Sequence, residues 1–402
     1  MSVLRGSHAI RQTGSCRGPP VAAASRRAIL LHAPTLSLVA GLVLPGMTPA
    51  LAAAEEVPVG MPHATLAPGL DISRVIKGCW QLSGGHRGDK ATDRTAGQAA
   101  LEDFSAFYAA GITTWDCADH YGPAEALIGK WIAQTSQATG KDVRSMVQVC
   151  TKVCVFDSAS MAGVSQASTR SAVDRSVKQL GGPPDLVAFY WGDYNIARYV
   201  DGAKFLAEEQ SKGRFGHLGM TNFDVKRMAE ITDAGVKVVS NQVQYSLLDR
   251  RPELGGMTEF CSAQDIKLLP YGVLAGGLLS KKYLGASSSS VTLDTYSKQK
   301  YSRVLSEAGG WEWFQRLLRT LQGIAEKHNT SLSNVAARWV LDKPCVAGVV
   351  LGARNATHVP DHLALGALML DAQDQDAIAE VLAAGQKPTS DCYNWERGLN
   401  RW

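Results

Sequence analysis

No Cys-x-x-Cys pair and no His-x-His pair occurs in the 402 residues. The usual spacings of a zinc site are therefore absent, and no metal is expected. The eight cysteines are no better placed for a disulfide framework. Cys150 and Cys154 flank Lys152. In an extended strand they stand about 13 Å apart, too far to bridge, and the thiols are read as core side chains. No Gly-x-Gly-x-x-Gly follows any β-rich run, which counts against a dinucleotide fold with an open, doubly wound sheet. The first 53 residues contain no Asp, Glu or Lys, but they hold Arg5, Arg11, Arg17, Arg26 and Arg27. The chain's net charge of +4, from 41 basic and 37 acidic residues, is thus a property of this leader. The rest of the chain is close to neutral and offers no electrostatic case for nucleic acid or an anionic membrane.

The leader reads as two signals in series. Residues 1–25 are rich in Arg, Ser, Ala and Gly, the composition of an organellar transit peptide. Ser25-Arg26-Arg27-Ala28-Ile29-Leu30-Leu31 then opens an apolar stretch that ends at Ala50-Leu51-Ala52-Ala53, which resembles a twin-arginine export signal. The rival is a membrane anchor over residues 28–46. His32, Pro34, Pro45 and the small-residue exit favour cleavage, leaving no stable anchor. Residues 1–53 are accordingly expected to be a bipartite targeting segment and residues 54–402 the folded body. The destination is the chloroplast, with the thylakoid lumen as a further step. A bacterial export signal with a long first region is the alternative.

From residue 73 short β-rich runs alternate with amphipathic stretches. The runs are Val75–Trp80, Ile112–Asp116, Met146–Thr151, Asp185–Phe189, His217–Met220, Val236–Val239, Ile266–Pro270 and Val346–Val350. Leu101, Phe104 and Tyr108 share one helical face ahead of Gly111. Val173, Val177 and Leu180 do so ahead of Gly181, and Val225, Met228 and Thr232 ahead of Gly235. Strand followed by helix, eight times over, predicts an α/β fold, a single (β/α)8 TIM barrel. Ser-rich residues 285–310 interrupt this rhythm after the seventh run. They are read as a lid at the mouth of the barrel or as a surface insertion.

The stretch Gly111-Ile-Thr-Thr-Trp-Asp116-Cys-Ala-Asp-His-Tyr121-Gly122-Pro-Ala-Glu125 resembles the aldo-keto reductase family. There a strand ends in Asp-Thr-Ala and Tyr-Gly follows five residues after the Asp. The resemblance runs through residues 72–370. It takes in Gly78-Cys-Trp80-Gln, Thr151-Lys152, Leu218-Gly-Met-Thr221-Asn222-Phe and Asn241-Gln242-Val-Gln-Tyr. It continues in Tyr271-Gly272-Val273-Leu274-Ala-Gly276-Gly277-Leu-Leu-Ser280-Lys-Lys282-Tyr and in Leu351-Gly352-Ala-Arg354. Each motif alone is weak. Their order after successive strands is specific.

The resemblance implies an NADP-dependent oxidoreductase that reduces aldehydes or ketones of small molecules. The chemistry makes sense of the residues. A free tyrosine has a pKa of about 10 and is a sluggish acid; a lysine within reach lowers it, and a carboxylate keeps the lysine charged. Tyr121, Lys152 and Asp116 would fill these roles. The fourth family position departs from the pattern. Tyr190, in Asp185-Leu-Val-Ala-Phe-Tyr190-Trp-Gly-Asp193, stands where relatives carry the histidine that orients the carbonyl. In one branch of the family a change here turns carbonyl reduction into reduction of an activated C=C bond.

For the cofactor, the resemblance implies Trp80 among the binding residues and Tyr271 stacked on the nicotinamide, with Thr221, Asn222 and Gln242 on its carboxamide. Gly272, Val273, Leu274, Gly276, Gly277, Ser280 and Lys282 would wrap the pyrophosphate, and Gly352 is counted with the cofactor-binding residues. Arg354 would meet the 2′-phosphate of NADP as a forked donor. His358 and His362 stand where relatives carry Arg or Gln and then Asn. Within the same fold, an NADP-binding sensor subunit with little turnover, like the potassium-channel β subunits, is a rival. A metal-dependent hydrolase barrel is a third, opposed by the missing His-x-His.

Overall fold

The computed structural model describes residues 60–85 and 94–402. The targeting segment expected over residues 1–53 lies outside the described residues. A hairpin with no counterpart among the expected runs comes first: β1 (His63–Ala67) and β2 (Leu70–Ser73), antiparallel around Gly69 at φ 78°. Next along the chain are β3 (Val75–Gly78), β4 (Thr114–Asp116), β5 (Gln148–Val155), β6 (Leu186–Trp191) and β7 (His217–Thr221). The last three are β8 (Ser240–Gln242), β9 (Lys267–Leu268) and β10 (Val349–Gly352).

These eight strands pair in parallel, in the order β10-β3-β4-β5-β6-β7-β8-β9. Backbone bonds close the ring at its open edge: Leu268 N–H to the Cys345 carbonyl (2.7 Å), Ala347 N–H to that of Leu268 (3.1 Å) and Val350 N–H to that of Pro270 (2.7 Å). The fold is the expected (β/α)8 barrel. Ile76, Cys150 and Leu186 pack in its interior with Leu66, Leu70 and Ile72 of the hairpin, which plugs the lower end. Outward residues such as Trp115 and Val149 pack under the helices through Phe104 and Trp131.

The helices begin and end for local reasons. Leu101, Phe104 and Tyr108 are buried on helix Gly97–Ala109. Helix Gln166–Leu180 starts with a capping box from Ser165 and ends on Gly181 at φ 76°, the left-handed conformation that favours glycine. Among the described residues no helix is long and apolar enough to cross a membrane.

The strand bounds differ from expectation mainly at the mouth. The expected run Val236–Val239 leads into the strand, and the hydrogen-bonded residues are Ser240, Asn241 and Gln242, all buried. Hydrophobic patterning passed over them because they are polar. Likewise β5 continues to Val155 and β6 to Trp191. Residues 285–310 are in part ordered helix, Tyr296–Ala308, started by Thr295, whose hydroxyl accepts from Lys298 N–H at 3.2 Å. Tyr301, Val304, Leu305 and Ala308 bury its inner face, so the segment folds onto the barrel.

Candidate active site

Side chains alternate across a strand, so Cys150, Lys152 and Cys154 of β5 share the inward face. The first lies on the barrel floor and the others at its upper end. Register puts Asp116 beside Cys150 and Tyr190 beside Cys154. The Lys152 ammonium donates to both Asp116 oxygens, at 2.8 and 2.7 Å, and to the Cys117 carbonyl at 2.8 Å. Both partners are almost fully buried. Gln242 Nε2 donates to Asp116 Oδ1 at 2.7 Å from the opposite wall.

Tyr121 follows β4 through a tight turn in which its N–H donates to the Ala118 carbonyl at 3.0 Å. Gly122 has to be glycine: φ is 53°, and a Cβ there would stand 2.7 Å from the Ser83 carbonyl oxygen. This close approach swings Tyr121 back over the barrel mouth. Its ring centroid lies 4.9 Å from Lys152 Nζ and 5.0 Å from the Trp80 ring, edge-on.

Burial pushes the Tyr121 phenol above its ordinary pKa, and Lys152 opposes that rise. The expected net lowering is therefore corrected, because desolvation outweighs the ammonium. For Lys152 the balance runs the other way. Burial acts to lower its pKa, but the Asp116 carboxylate and the neighbouring Tyr121 together more than offset this and hold it above the usual lysine range.

Tyr190 is half-buried between Phe156 (5.2 Å) and Tyr393 (6.4 Å), and the Arg397 guanidinium stands 5.4 Å from its ring. Burial and Tyr393 push its phenol up to about 12, with Arg397 opposing. At neutral pH it is a neutral hydrogen-bond donor.

The residues expected to hold a dinucleotide fall into three groups. Thr221 Oγ1 donates to the Gln242 carbonyl at 3.0 Å, and the Tyr271 hydroxyl donates to Asn222 Oδ1 at 2.8 Å. Asn222 itself is left-handed (φ 61°), and its N–H donates to the Gln242 carbonyl at 2.9 Å. These residues gather beside Asp116 and Lys152. The strip after β9 forms the second group, with Gly272, Gly276 and Gly277 at φ 67°, 65° and 89°. A Cβ on Gly272 would stand 2.1 Å from the Tyr301 hydroxyl, whereas none on Gly277 would meet an atom within 4 Å. Gly277 thus leaves its backbone open to a close-lying anion, Ser280 Oγ donates to the Gly277 carbonyl at 2.8 Å, and Lys282 is exposed beyond it. The strip fits a pyrophosphate on these grounds. Val273 is buried in the core and Leu274 packs against it, so only their backbone can serve.

The third group follows β10, where Gly352 abuts Gln81 and Arg354 is half-buried. His358 is exposed and paired with Asp361 at 3.1 Å. His362 is 6% exposed and packs 5.9 Å from the Phe107 ring. Its side chain faces the core, where burial lowers its pKa to about 4.

Sequence reasoning missed the C-terminal tail. Arg397 donates to the Asn222 carbonyl and to the Trp191 carbonyl, each at 2.8 Å. Glu396 pairs with the buried Arg251 at 2.6 Å, and Asp391 accepts from Val225 N–H at 2.7 Å. Lys300, from helix Tyr296–Ala308, sits between Tyr271 (5.2 Å) and Tyr393 (4.9 Å), and burial lowers its pKa to about 8. The tail lies past the last expected strand and no short motif marks it.

The model of the "Aldo/keto reductase family" matches residues 74–383. A chloroplastic pyridoxal reductase from Arabidopsis thaliana is 28% identical over 71% of this chain and 76% of its own. A putative aryl-alcohol dehydrogenase from Schizosaccharomyces pombe is 24% identical over 78% of this chain and 93% of its own. The solved structure of a glycerol dehydrogenase from Gluconobacter oxydans superposes with a TM-score of 0.65 at 21% identity, covering 82% of this chain and 98% of that one.

Proposed function

The chain belongs to the aldo/keto reductase family and is an oxidoreductase; from that premise we propose that it reduces carbonyl groups of small molecules with NADPH, using Tyr121 as the proton donor. The observation that carries this reading is the buried Asp116–Lys152 pair, at 2.7 Å, with the Tyr121 ring 4.9 Å from the ammonium. The bound nicotinamide would supply the hydride. Tyr121, kept protonated by burial, holds its proton at the mouth where the carbonyl oxygen gains charge. Lys152 stabilises the phenolate left behind, and Asp116 keeps Lys152 charged. Trp80 packs edge-on against the Tyr121 ring at 5.0 Å and would form one wall beside that oxygen. Tyr190 would be a second hydrogen-bond donor to the same oxygen.

The choice of NADP over NAD rests on Arg354, two residues past the end of β10, and on the exposed Lys282. For substrate we propose aromatic aldehydes first. Phe156, 53% exposed, forms an aromatic rim with His120 and Tyr190, and the Arabidopsis relative is named for an aromatic aldehyde. The compartment we propose is the chloroplast, on the composition of residues 1–53 and that relative's name. That name carries no lumenal assignment.

The test is a substrate panel on the purified protein, following NADPH absorbance. Aromatic aldehydes should be turned over faster than aliphatic ketones. A tyrosine at position 190 favours one second reading: turnover confined to activated C=C bonds would move the chain to that branch. Tight NADPH binding without turnover, in both the unmutated protein and Tyr190→His, would make it a sensor.

A further inference from the structure

Three further side chains meet at the rim. Asp119 and His120 lie in the turn after β4, and Cys154 lies two residues beyond Lys152 on β5. Asp119 N–H donates to the Lys152 carbonyl at 3.2 Å, and Asp119 Oδ2 accepts from Cys154 N–H at 3.1 Å, which fastens the turn to the strand. The His120 ring is held edge-on between Tyr121 (4.7 Å) and Phe156 (4.9 Å). One carboxylate oxygen, one imidazole nitrogen and the thiol sulfur all lie within 4.8 Å of one another, with His120 Nδ1 3.2 Å from Asp119 Oδ1.

We propose that Asp119, His120 and Cys154 form a binding site for a soft divalent cation, zinc, on the rim of the active site. Zinc bonds of roughly 2.1 Å to N and O and 2.3 Å to S put tetrahedral donors about 3.4–3.6 Å apart. The N···O pair already stands near that spacing, and the Cys154 thiol lies within 4.8 Å of both. Binding exchanges the Cys154 S–H proton, released to solvent, for a zinc–sulfur bond. The charges suit it: a dication balances one carboxylate and one thiolate, while Lys152 is already neutralised by Asp116. Three protein ligands leave a fourth position for water. A second cluster, His328, Asp371 and Asp374, shows the contrast. Lys327 already occupies its two carboxylates at 2.6 and 2.8 Å.

An ion there narrows the approach to Tyr121, so zinc should inhibit turnover. That consequence rests on the reductase reading, whereas the binding does not. The experiment titrates zinc into the tag-free, reduced protein against a chromophoric zinc indicator. One zinc per chain should bind with micromolar or better affinity. Cys154→Ser and His120→Asn should each weaken it at least about tenfold, while Cys345→Ser, a half-buried thiol elsewhere, should not. Absence of micromolar binding, or loss in only one of the two ligand variants, overturns the site. Should a variant fail to fold, cobalt added to the unmutated protein decides: a thiolate-to-cobalt charge-transfer band supports the site, and its absence overturns it. Zinc binding without inhibition leaves the site standing and removes the blocking consequence.

Discussion

Gln242 Nε2 donates to Asp116 Oδ1 at 2.7 Å, joining β8 to β4 across the inside of the barrel. Lys152 binds the same carboxylate, so one buried acid links the proposed proton donor to the proposed carboxamide pocket. Removing the lysine leaves that acid poorly compensated. Lys152→Met should cut carbonyl reduction by at least about 10²-fold and destabilise the fold by roughly 3–5 kcal/mol. Adding Asp116→Leu should restore stability and not turnover. Denaturant titration beside steady-state rates separates the two effects.

Tyr121→Phe removes one hydroxyl from a ring that stays packed against Trp80. Turnover should fall by about 10²-fold or more, while NADPH affinity by fluorescence titration stays within about threefold. Full activity in this variant would remove Tyr121 as the acid.

Arg354→Ala tests the choice of cofactor. The unmutated protein should bind NADPH more tightly than NADH, and the variant should lose about tenfold or more of that preference. Equal affinities before mutation would defeat the assignment.

The buried His362 makes a prediction about pH. Its pKa is lowered from the ordinary value of about 6.5 to about 4 in the folded protein. Between these values the unfolded chain binds the extra proton, so stability falls as pH falls. The slope should approach about 1.4 kcal/mol per pH unit from this one group. The contribution is complete above about pH 6.5 and lost by about 4. His362→Phe should flatten that part of the denaturation profile, and an unchanged slope would show that the group titrates normally.

Much of this protein was determined by its sequence. Alternating β-rich and amphipathic runs, ended by Gly111, Gly181 and Gly235, dictate a barrel, because each helix must bury its one apolar face on the next strand. The order Asp116, Tyr121, Lys152 and Tyr190 marks the strand ends that point into its mouth. What only the tertiary structure decided lies in contacts between residues far apart in the chain. The buried polar strand Ser240–Gln242 carries no hydrophobic pattern to betray it. Arg397 reaches Asn222 across 175 residues, and Asp119 meets Cys154 across 35. Local spacing contains neither pairing, because the closing of the sheet creates both. The pKa of Tyr121 was decided there too: sequence supplies the lysine that lowers it, but only the packed mouth supplies the desolvation that prevails.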